Sequence, residues 1–63
     1  METIDQIAEA LNSPDEEVRL QGLRDLGAGD ALAGLDLIFK AFGDSSWRVR
    51  KESISLFLRM PIR

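Results

Sequence analysis

Ser13-Pro14-Asp15-Glu16-Glu17-Val18-Arg19-Leu20-Gln21-Gly22-Leu23 returns in altered letters as Asp44-Ser45-Ser46-Trp47-Arg48-Val49-Arg50-Lys51-Glu52-Ser53-Ile54. Laying Val18-Arg19 over Val49-Arg50 fixes an offset of 31 residues. At that offset Ile4 falls on Leu35, Ile7 on Ile38, Leu11 on Phe42, Val18 on Val49, Leu23 on Ile54 and Leu26 on Phe57. Ser13 falls on Asp44, and both are favoured helix N-caps. Self-similarity at a fixed period marks a repeat architecture, and the chain divides into one unit over about 3–28 and another over about 30–60 within a single domain, 1–63.

Each unit resolves into two helices. Thr3 with Gln6 makes a capping box before Ile4, Ile7 and Leu11, whose spacing predicts a first helix over about 4–12. Ser13 as N-cap, Pro14 in the first turn and Glu16 reaching back predict a second over about 14–26, closed at Gly27-Ala28-Gly29 by a glycine in the left-handed conformation. Asp30 is the expected N-cap of a third helix, with Leu32, Leu35, Ile38, Phe39 and Phe42 on one face. Gly34 inside it costs about 1 kcal/mol against alanine unless a neighbouring helix needs the close approach. The fourth runs over about 45–59 until Pro61, which biases Met60 away from helix. No segment alternates as a strand does. The expected fold is all-α: two stacked helical hairpins of an α-solenoid, or α-α superhelix.

Composition excludes much chemistry. The 63 residues are 44% hydrophobic and 30% charged, the balance of a folded domain rather than a disordered segment. With neither cysteine nor histidine, disulfides, thiol chemistry, the usual zinc sites and histidine acid/base catalysis are out of reach. Asp15, Glu16 and Glu17 crowd a helix start, where they complement the dipole, without a base or nucleophile beside them. The five serines have no histidine to activate them. Gly27-Ala28-Gly29 with Gly34 has too many residues before its third glycine for a dinucleotide fingerprint and follows a helix, not a strand. We therefore expect no catalytic residue, no metal and no cofactor. The acidic N-terminus and short apolar runs match neither a signal peptide nor a membrane span, so a cytoplasmic protein without membrane contact is expected.

The net charge of −3 hides an asymmetry. Residues 1–36 carry nine acids against Arg19 and Arg24, a balance of −7; residues 37–63 carry six basic residues against Asp44 and Glu52, a balance of +4. Helix-dipole matching and solvated faces account for this, and so does an end-to-end association or an acidic partner on the second half.

On a helical projection Arg19 falls about 20° from the centre of the buried arc formed by Val18, Gly22, Leu23 and Leu26. A guanidinium facing the inter-helix space needs acceptors. Asp44 is the obvious one, with helix-end carbonyls as others, so a polar ladder of Arg19, Asp44 and Arg50 between units is expected. Opposite the buried arc lie Glu17, Gln21 and Arg24, and at the same offset Arg48, Glu52 and Ser55. Trp47, in the first turn of its helix, is the strongest single contact candidate because tryptophan is enriched in interface hot spots.

The quoted stretches resemble the short bacterial form of the HEAT repeat, also found in phycobilisome lyases. That family's pattern is an acid at the inter-helix turn, Val-Arg, a small residue and then an apolar one. Gly22 and Ser53 hold the small position, and Asp44 with Arg50 match the aspartate and arginine of the ladder. The first unit departs from it, with Ser13 where the aspartate would stand. The resemblance implies a HEAT-like solenoid and a non-catalytic protein–protein interaction or scaffold module, whose concave face would be Glu17, Gln21, Arg24, Trp47, Arg48, Glu52 and Ser55. It also implies two alternatives, the HEAT-like part of a bilin lyase-type enzyme and a nucleic-acid backbone binder using Arg48, Arg50, Lys51 and Arg59. The negative net charge argues against the last. Arrays usually need at least three units with polar caps, whereas Leu56, Phe57, Leu58, Met60 and Ile62 make an apolar C-terminal end. The expectation is a piece of a longer array continuing near Pro61, or self-association through that end.

Overall fold

The computed structural model describes residues 3–60; the expectations that fall on Pro61 and Ile62 lie outside the described residues. The described residues form α1 (Ile4–Leu11), α2 (Glu16–Ala28), a 3₁₀ turn (Leu32–Gly34), α3 (Leu35–Ala41) and α4 (Trp47–Arg59), with no strand among them. α1 packs on α2 and α3 on α4, giving two hairpins. The hairpins meet chiefly through α2 against α4, with a smaller contact of α1 against α3. The thinnest extent is 15 Å, the depth of two helix layers whose axes stand about 8–10 Å apart.

Local chemistry sets these boundaries. Thr3 Oγ1 accepts from Gln6 N–H and Gln6 Oε1 accepts from Thr3 N–H, so the capping box forms as its spacing requires. The starts of α2 and α4 differ from expectation. Asp15, not Ser13, caps α2 by accepting from Glu17 N–H, and Ser46, not Asp44, caps α4 by accepting from Val49 N–H. Ser13 and Asp44 instead stabilise the turn before the cap: Ser13 Oγ accepts from Asp15 N–H, and Asp44 Oδ1 from Ser46 N–H. A side-chain oxygen bonded two residues on makes a turn that competes with helix, so both helices begin two residues late. The shift is the same in both units, and α2 and α4 coincide at both ends under the offset of 31.

Two glycines stand close against leucine side chains rather than in a conformation that needs glycine. No glycine has positive φ among the described residues, so α2 does not stop in a left-handed cap; it runs through Gly27 to Ala28. A Cβ on Gly27 would stand 2.9 Å from Leu56 Cδ1, and one on Gly34 would stand 2.6 Å from Leu26 Cδ1. Gly34 also opens the third helix later than expected. Asp30 Oδ1 accepts from Ala33 N–H, the 3₁₀ turn follows from Leu32, and α3 proper starts at Leu35.

The core is Ile7, Leu20, Leu23, Leu26, Ile38, Ala41, Val49, Leu56 and Met60. Phe39, Phe42 and Phe57 form a cluster beside it, with ring centroids 5.6–5.8 Å apart. The apolar C-terminal end is therefore less bare than its sequence suggests. Leu56, which reaches across to Gly27, and Met60 are buried in the core, Phe57 is half-buried, and only Leu58 of the four described residues stands well exposed. Met60 is extended, at φ −76° and ψ 144°, the conformation a residue before proline prefers.

Candidate functional site

The paired starts of α2 and α4 carry most of the charged contacts. Arg19 donates from Nε to Asp44 Oδ2 at 2.9 Å and from Nη2 to Asp44 Oδ1 at 3.1 Å, while its Nη1 donates to the carbonyl of Ser13 at 2.9 Å. Both side chains are only 13% exposed, and fork-to-fork geometry of this kind is the strong form of the ion pair. Arg50 repeats part of the pattern, donating from Nη1 to the carbonyl of Asp44 at 2.7 Å. Burial pushes the Asp44 carboxyl upward; the Ser46 N–H, the Arg19 fork and the Arg50 charge outweigh it and hold the group below its ordinary value.

A second set of contacts lies one turn further along. Ser46 Oγ donates to Glu16 Oε1, and Arg48 Nη1 bridges Glu16 Oε2 at 3.0 Å and Glu17 Oε1. The Ser46 hydrogen bond, opposed by partial desolvation and helped by Arg48, holds Glu16 below the ordinary carboxylate range. Glu17 in turn, with Glu16, keeps the Arg48 guanidinium charged. Ser46, half of this link, was absent from the residues singled out in the sequence; its alignment with the Asp15 cap was the signal that could have found it.

Beyond these contacts the α2–α4 surface opens into a shallow groove of about 270 Å³, lined by Leu20, Arg24, Trp47, Arg48, Lys51, Glu52 and Ser55. Five of the seven residues expected on this face, Arg24, Trp47, Arg48, Glu52 and Ser55, thus come together. Glu17 stands at the rim, tied to Arg48, and Gln21 turns to its own helix, donating to Asp25 Oδ1 at 3.0 Å. Trp47 is 62% exposed despite its size. Lys51 Nζ lies 5.5 Å from its ring centroid, within cation–π range. Lys51 was not among the expected face residues, although its place four residues after Trp47 on one helix brings the two side chains together. Glu52 lies 3.6 Å from Arg59, a long contact, and Arg24 has no acidic partner among the described residues. The groove is therefore cationic around an exposed indole.

A larger concavity of about 720 Å³ lies where α1 begins and α2 ends, lined by Thr3, Ile4, Ile7, Asp25, Leu26, Ala28, Gly29 and Asp30. It is chiefly apolar, and among the described residues that line it no cation accompanies the carboxylates of Asp25 and Asp30. Among the described residues no cluster of acids is placed to hold a metal ion, and no helix is long and apolar enough to cross a membrane. The hydroxyls of Ser46 and Ser53 are spent on Glu16 and on the carbonyl of Arg50. Comparison with family models, with curated proteins and with solved structures finds no match for this chain.

Proposed function

We propose that the chain is a non-catalytic protein-binding module, two units of a HEAT-like α-solenoid, that takes an acidic segment with apolar anchors along the α2–α4 groove. The observation that carries this reading is Trp47, exposed in a groove whose charged lining includes Arg24 and Lys51, neither of them in an ion pair among the described residues. A large aromatic left in water beside cations is an anchor for a partner that supplies apolar contact and carboxylates together. The stacking part of the reading is supported by bonds that recur at the repeat offset: Arg19 to the Ser13 carbonyl and Arg50 to that of Asp44, Ser13 to Asp15 N–H and Asp44 to Ser46 N–H.

Calorimetric titration with a synthetic peptide of alternating glutamate and leucine tests it. Saturable binding is expected, weakened at least about tenfold by Arg24→Glu, since a hydrogen bond to a charged group contributes about 1.5–3 kcal/mol. Absence of binding, or binding indifferent to Arg24→Glu, sinks the proposal. Tighter binding of a single-stranded oligonucleotide, with a steep loss of affinity in salt, would replace it with the nucleic-acid reading.

A further inference from the structure

Arg48 lines the groove with its charge already answered from within the chain. Its Nη1 alone donates to both Glu16 Oε2 and Glu17 Oε1. Its Nε and Nη2, the pair of donors that closes a fork on a carboxylate, meet no acceptor among the described residues. The two acids are held unequally. Glu16 has a second bond, accepted from Ser46 Oγ, and its side chain is 42% exposed against 63% for Glu17. The Glu17 carboxylate has Arg48 as its one partner among the described residues. An ion pair this open to water contributes little, because solvent screens it and two long side chains must be held still.

We propose that the acidic segment docks by taking Arg48 from Glu17: a partner carboxylate closes the free Nε–Nη2 edge while Glu17 swings into water, so that Arg48 is a binding residue of the groove and Glu17 its built-in competitor. The inference rests on the reading of the groove as a site for an acidic segment. Arg48 follows Trp47 directly on α4 and lines the same groove, so the carboxylate that takes it and the apolar side chain that covers the indole belong to one short stretch of the partner. A two-pronged contact then replaces a bond from a single nitrogen, and the exchange runs in the partner's favour. A third carboxylate added beside Glu16 and Glu17 without displacing either would be repelled by both. Glu17 thereby also sets selectivity: a segment with apolar side chains alone leaves the internal pair closed and gains nothing from Arg48.

Calorimetric titration of variants with the glutamate–leucine peptide tests this. Glu17→Gln removes the competing charge and keeps the backbone N–H that Asp15 Oδ1 accepts. It is expected to bind the peptide about threefold more tightly than the unaltered chain, the scale of an exposed ion pair. Glu9→Gln makes the same change of net charge on α1, where Glu9 is exposed and in no ion pair among the described residues, and should leave the affinity unchanged. In an Arg48→Gln background Glu17→Gln should bring no gain. Circular dichroism on each variant confirms that it is helical. No gain from Glu17→Gln, an equal gain from Glu9→Gln, or a gain that persists without Arg48 would each overturn the proposal while leaving the groove as the site of binding. A peptide bound neither by the unaltered chain nor by Glu17→Gln removes the groove reading itself and this inference with it.

Discussion

Arg19 of the first hairpin closes two donors on the Asp44 carboxylate of the second, at 2.9 and 3.1 Å, and spends a third nitrogen on the Ser13 carbonyl of its own turn. One side chain thus ties the inter-helix turns of both hairpins together. Arg19→Met keeps the stem and removes the fork, and Asp44→Asn keeps the acceptor for Ser46 N–H and removes the charge. Each single variant is expected to cost about 2–3 kcal/mol. In a double-mutant cycle by urea unfolding the two should couple by about 1–2 kcal/mol. Additive effects would mean that the pair does not hold the hairpins together.

Gly34 and Gly43 should respond oppositely to alanine. At Gly34 the new methyl would meet Leu26 Cδ1 at 2.6 Å, and overpacking of this kind costs about 1–3 kcal/mol, more than the gain of about 1 kcal/mol in helix propensity. At Gly43 the nearest atom is the Lys40 carbonyl oxygen at 3.8 Å and φ is not positive. Gly43→Ala should therefore leave the thermal midpoint unchanged or raise it slightly, while Gly34→Ala lowers it.

The repeat offset, the four helices and the meeting of Arg19 with Asp44 followed from apolar spacing and from the need of a buried guanidinium for acceptors. The starts of α2 and α4 did not, because Ser13 and Asp44 are good caps by residue type, and only the competing turn to Asp15 and Ser46 N–H decides that the cap lies two residues on. Gly27 was read as a helix stop for the same kind of reason. Its real role depends on Leu56, 29 positions away in the chain, and local pattern carries no trace of that contact. In the groove, Glu17 and Arg48 were both expected to face a partner; being of opposite charge and on neighbouring helices, they bind each other.

Acid should weaken the fold in a defined window. Asp44 and Glu16 are both held below their ordinary values, so their contribution is full above the ordinary carboxylate range at about pH 4. It is lost as pH falls through their lower folded values, when the folded state must take up protons that the unfolded chain already holds. Ser46→Ala removes the chief cause of the Glu16 shift together with the cap of α4, and should cost about 1 kcal/mol at neutral pH. It should also make the acid decline shallower. Denaturant unfolding of both forms between pH 7 and pH 2 measures the difference; an equal slope in the two would contradict the role given to Ser46.

Trp47→Ala should leave stability within about 0.5 kcal/mol, since its side chain is exposed and takes part neither in the Ser46 cap nor in the core. Binding of the acidic peptide should nevertheless fall at least about tenfold, as for a truncated hot spot. Parallel thermal melts and calorimetric titrations separate the two effects.

Trp47 is the chain's single tryptophan, so its emission reports on the groove and on nothing else. Emission followed while the acidic peptide is added therefore tests the central claim most directly. The account predicts a saturable shift toward shorter wavelength, as the indole leaves water, at the same peptide concentration that saturates the calorimetric signal. Emission that stays constant while the peptide binds would place the partner elsewhere on the molecule and contradict it.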